Sequence, residues 1–73
     1  SCGRAIVAYK RLFSSWPGYA DRAEAMWEAA ACHRRLGHSE QALSLLDQLE
    51  GLPGWSDKVR TEKSSIERSA AQQ

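Results

Sequence analysis

Much of this 73-residue chain is defined by what is scarce in it. There is no Asn, so no N-glycosylation acceptor exists. Only five residues are β-branched (Ile6, Val7, Val59, Thr61 and Ile66), against 11 Ala, which is too few to furnish a β-sheet and favours helix throughout. No apolar run exceeds five residues, far short of the roughly 18 needed to span a membrane. An excess of charge of either sign is missing too. Ten basic and nine acidic residues leave a net charge of +1, with no electrostatic footprint for nucleic acid or an anionic membrane. Two cysteines, 30 positions apart, are too few for a disulfide framework and do not reveal the redox compartment. Proline occurs twice, and those two positions organise everything else.

Residues 17–23, Pro-Gly-Tyr-Ala-Asp-Arg-Ala, recur as residues 53–59, Pro-Gly-Trp-Ser-Asp-Lys-Val. Each substitution keeps its chemical type. Upstream of each copy lies a matching apolar ladder: Ala5, Ile6, Tyr9 and Leu12 against Ala42, Leu43, Leu46 and Leu49. The offsets are 36 and 37 residues, the period of stacked supersecondary units. A hydrophobic content of 42% supports one small core, so residues 1–73 form one domain or a piece of one. The chain opens Ser-Cys-Gly without an initiator Met or a signal-peptide pattern, which reads as a segment of a longer protein.

Periodicity predicts four helices, over about 3–15, 21–36, 39–50 and 56–70. Pro17-Gly18 and Pro53-Gly54 break the first and third. Asp21 and Glu24 resemble a capping box at the start of the second, and Gly37 supplies a left-handed residue at its end. The second helix carries two apolar stripes, one of Ala23, Met26, Trp27, Ala30 and His33, the other of Ala25, Ala29, Cys32 and Leu36. A helix apolar on two sides lies between neighbours. Ala30 and Ala42 are small enough to mark a close helix approach. The fourth helix has a thin stripe, Val59, Ile66 and Ala70, amid mixed charge, as a terminal helix should.

Trp27, Ala30, Leu36-Gly37, Ala42, Leu43, Leu46, Leu49 and Leu52-Pro53 resemble the tetratricopeptide repeat pattern, and Ala5, Tyr9, Leu12 and Pro17 match the half-unit before it. The long Trp-Pro-Gly-Tyr-Ala-Asp turn at residues 16–21 is similar to the subtype common in bacterial envelope and Tol-Pal-associated proteins. His33 and Ala29 depart from that subtype, which usually has an aromatic and a Leu there. The resemblance implies an all-α, tetratricopeptide-like stack of about four antiparallel helices: a half unit, one full unit, and a C-terminal half unit or capping helix. It further implies protein–protein interaction as a scaffold or adaptor, with Glu24, Trp27, Ala31, Arg34 and Arg35 lining the inner groove that holds a peptide. The carboxylate clamp known in such repeats needs Lys and Asn where Trp27 and Ala31 stand, so capture of an acidic C-terminus is not expected. The compartment stays open between bacterial envelope and cytoplasm.

An alternative is self-association. The first helix lacks a partner of its own, and Ile6, Val7, Tyr9, Phe13 and Trp16 cannot all face one neighbour, so a second copy would cover the surplus. Tyr19 and Trp55, at equivalent positions, read as wedges between units. Arg34 and Arg35 with Arg22 form either a basic patch or a solvated helix end. His33 reads as a partly buried structural residue, with a pH switch as the alternative.

Enzyme chemistry finds little footing. There is no nucleophile elbow, and residues 51–54 lack the Lys of a phosphate loop. The only metal-ligand candidates are Cys2, Cys32, His33 and His38, without a CxxC or HxxxH spacing; Cys32 reads instead as a small buried hydrophobe. No cofactor and no metal are expected.

Overall fold

Helix α1 (Cys2–Ser15) starts where the Ser1 hydroxyl accepts the Arg4 amide at 3.5 Å, in a computed structural model that describes residues 1–16, 18 and 21–72. Helices α2 (Arg22–Arg35), α3 (Ser39–Glu50) and α4 (Ser56–Ala71) complete an all-helical chain, with no strand among the described residues. Consecutive helices pack on each other, α1 on α2, α2 on α3 and α3 on α4. With links this short, such packing is antiparallel. The result is a stack 38 × 28 × 15 Å in extent.

The three residues between α2 and α3 show why the chain reverses there. Gly37 has φ 79°. Its amide donates to the Arg34 carbonyl at 3.0 Å, and the His38 amide donates to the His33 carbonyl at 2.8 Å. This is a Schellman motif, which consumes carbonyls the helix end would otherwise leave free. At the other end of α2, Asp21 occupies the cap position but its carboxylate makes no capping bond, so the expected capping box is not formed. Two other expectations shift by position. Leu36 sits in the cap beyond the last helical turn and is 47% exposed, and Ala70 is exposed near the end of α4.

The core is built from Met26 and Ala30 of α2, Ala42, Leu46 and Leu49 of α3, and Val59 and Ile66 of α4. Ala30 and Ala42 are both buried, as their size suggested. The second stripe of α2, Ala25, Ala29 and Cys32, is buried as well. Helix α1 adds one buried residue, Ile6, and sends only the half-buried Phe13 to the core. Cys2 and Cys32 form a disulfide between the first turn of α1 and the last turns of α2, with Cα atoms 5.1 Å apart. This corrects the reading of Cys32 as a free buried hydrophobe.

Candidate functional site

Trp27 projects from the middle of α2 toward α4 because it lies one residue beyond the core position Met26. Its ring meets Trp55 at 5.7 Å between centroids, tilted by 46°, which joins the start of α4 to α2. Trp55 is half-buried against the core, and the Lys58 ammonium stands 5.3 Å over its ring. Tyr19, the equivalent position, lies outside the described residues.

Below this pair, Trp27, Asp57, Lys58, Thr61 and Glu62 wall an open, mainly apolar cleft of about 450 Å³. Ala31, Arg34, Arg35 and Glu62 wall a second, of about 360 Å³. Glu62 borders both, so the two clefts adjoin at that residue, and together they are taken as the groove between α2 and α4. Its wall is fixed by Arg34, which donates to Glu62 Oε1 at 2.5 Å and to Ser65 Oγ at 2.6 Å. A two-pronged guanidinium bond holds one orientation where a lysine would not. Arg35 is left exposed at the rim.

Four of the five residues assigned to the groove, Trp27, Ala31, Arg34 and Arg35, therefore share it. Glu24 does not. It lies on the α1 side of α2, lining a different cleft with Tyr9, Leu12 and Glu28, where the Tyr9 hydroxyl donates to Glu28 Oε2. That bond, with burial and the carboxylate's charge behind it, holds the Tyr9 pKa above its ordinary value. The α4 wall of Asp57, Lys58, Thr61, Glu62 and Ser65 was missed in the sequence, although its spacing of three and four residues places it on one helical face.

The residues expected to mediate self-association are split apart. Val7 and Trp16 are 51% and 66% exposed, whereas Ile6 is buried and is not available to a second copy while α1 stays docked. Phe13 is half-buried beneath the Arg22 guanidinium, 4.8 Å from its ring centre. Arg22 thus does not join Arg34 and Arg35 in one patch. Ile6 and Phe13 instead line a cleft of about 220 Å³ with Tyr9, Ala29, His33 and Leu45, between α1 and the α2–α3 pair.

His33 is buried, its Nδ1 3.3 Å from Nδ1 of the exposed His38. Burial, followed by the nearby His38 and Lys10, lowers its pKa. Cys2 and Cys32 are committed to the disulfide, and among the described residues no three His, Cys, Asp or Glu side chains gather where they could hold a metal ion. No described helix is long and apolar enough to cross a membrane. Compared with known proteins, the chain matches no family model, no curated protein and no solved structure.

Proposed function

We propose that this chain is a protein-interaction module of tetratricopeptide type, a scaffold or adaptor segment that holds a peptide in the groove between α2 and α4. The observation that carries the proposal is the groove itself. Its floor is the large apolar face of Trp27, its walls are braced by Arg34, and its rim leaves Arg35 unpaired among the described residues. An aromatic floor with a polar rim is how interfaces anchor a partner. The charges around it are mixed, with Asp57 and Glu62 facing Lys58, Arg34 and Arg35, so the fitting ligand is a peptide with an apolar anchor and flanks of both signs, not a polyanion. The bacterial-envelope subtype suggested by residues 16–21 belongs to the same proposal.

Panning a random peptide library on the intact chain, then titrating the selected peptides against wild type and Arg35→Glu, tests it. Arg35 is exposed, so the variant should fold normally. Selected peptides should lose about tenfold in affinity or more. Enrichment of nothing, or binding that Arg35→Glu and a second groove variant, Ala31→Arg, leave untouched, overturns the proposal.

Self-association remains the second reading, favoured by the exposure of Val7 and Trp16 on α1. Light scattering of the oxidised chain over a wide concentration range tests it: growth in mass that Val7→Ser and Trp16→Ser abolish supports it, and a constant monomer mass rejects it.

A further inference from the structure

The four helices are not equally held. The buried core draws on α2, α3 and α4 and contains no residue of α1. Toward its neighbours α1 offers the buried Ile6 and the half-buried Tyr9 and Phe13; the Tyr9 hydroxyl also reaches Glu28, and Arg22 stacks on Phe13. The Tyr9–Glu28 bond is exposed and contributes little, and the half-buried Arg22–Phe13 contact adds a modest cation–π attraction. The seat is also imperfectly filled, since the 220 Å³ cleft between α1 and the α2–α3 pair is walled by Ile6, Phe13, Ala29 and Leu45. A covalent link is added between Cys2 and Cys32.

We infer that the Cys2–Cys32 disulfide is a redox latch on α1, and that its reduction lets α1 leave its seat and occupy the same seat on a second copy of this chain. The reductant is a dithiol. Cys2 is half-buried and Cys32 buried, so the attacking thiolate reaches the Cys2 sulfur. A mixed disulfide forms on Cys2 and Cys32 leaves as a thiolate, which takes up a proton. The second thiol of the reductant then attacks its own mixed-disulfide sulfur and expels Cys2. Two electrons and two protons pass from the dithiol, which departs as a disulfide, and two cysteine thiols remain.

A second copy is the occupant because undocking uncovers two complementary surfaces at once. The seat exposes Ala29 and Leu45, and the free helix exposes Ile6 and Phe13, all of which line the 220 Å³ cleft. Another copy's α1 restores the same contacts. The link between α1 and α2 is only six residues long, and short links favour such exchange over refolding in place. The inference does not rest on the groove between α2 and α4. It gives self-association a controlled form, and it requires exchange only after reduction, so a dimer in the oxidised chain would bear on that reading alone.

The test mixes isotopically light and heavy chains, reduces them with dithiothreitol at high protein concentration, and removes the reductant. Mass spectrometry then reads the Cys2–Cys32 linked peptides, and hydrogen exchange is followed separately, at protein concentrations too low for exchange between copies, on the reduced chain and on a Cys2→Ser/Cys32→Ser variant. The expected result is light–heavy hybrid peptides from a disulfide-linked dimer, none from the unreduced mixture, with protection lost in α1 and kept in α3. Same-label peptides alone overturn the inference. So does an α1 that stays protected without the disulfide, or an α3 that loses protection together with α1, since the disulfide would then hold the whole fold and not latch one helix.

Discussion

With φ at 79°, Gly37 places the chain where an L side chain is strained, and the Schellman bonds at the end of α2 depend on that conformation. No atom crowds the space a Cβ would fill, so the cost of substitution is purely conformational. Gly37→Val should lose about 1–3 kcal/mol in chemical denaturation, and an unchanged midpoint would contradict the turn. This residue was readable in the sequence, because Gly after a periodic helix and before a polar turn has few other uses. Asp21 was less so. A carboxylate before a helix permits a cap but does not compel one, and here the bond is absent. His33 carries a second residue-scale prediction. Its folded pKa lies below the ordinary 6.5, lowered first by burial and then by His38 and Lys10. A base whose pKa is depressed by folding stabilises fully above the unfolded value, and that contribution is lost as pH falls below 6.5 toward the folded value. Urea unfolding at neutral pH and near pH 5 should therefore show acid weakening that His33→Gln reduces; equal acid weakening in both proteins would place its cause elsewhere.

Among the elements, α3 is the best anchored, with Leu46 and Leu49 fully buried between α2 and α4. Ala42, also without exposure, sits on the same face and leaves no room for a larger group. Ala42→Leu should cost about 1–3 kcal/mol by overpacking, and retained stability would disprove a close α2–α3 approach. The burial of Ala30 and Ala42 was legible from their small size amid larger apolar neighbours. The disulfide was not read, although its signal was present. In an antiparallel pair the first turn of one helix lies beside the last turns of the next, and Cys2 and Cys32 hold those positions. Counting cysteines concealed what placing them on helices would have revealed. Leu36 and Ala70 were misplaced for a simpler reason, since periodicity continues past the turn where a helix stops or loses its neighbour.

At the scale of the whole molecule, helical stacking brings α2 and α4 to face each other, although they are not adjacent in sequence. The α2 half of the groove was legible from Trp27, Ala31, Arg34 and Arg35, because one helix face can be read from spacing. The α4 half was hidden, since Glu62 and Ser65 acquire their place only through the Arg34 guanidinium that reaches them. Arg34 is about one-third exposed, so Arg34→Ala should cost less than about 1 kcal/mol of stability, while weakening a bound peptide more, as paired denaturation and titration would show. The central claim, that the α2–α4 groove is the partner-binding face, is tested most directly by nuclear magnetic resonance. Amide shifts of the oxidised chain would be followed while a library-selected peptide is added. The account predicts that the largest changes fall on Trp27, Ala31, Arg35, Lys58, Thr61 and Glu62, with α1 nearly unaffected. Changes centred on Val7 and the exposed side of α1, with the groove silent, would contradict it.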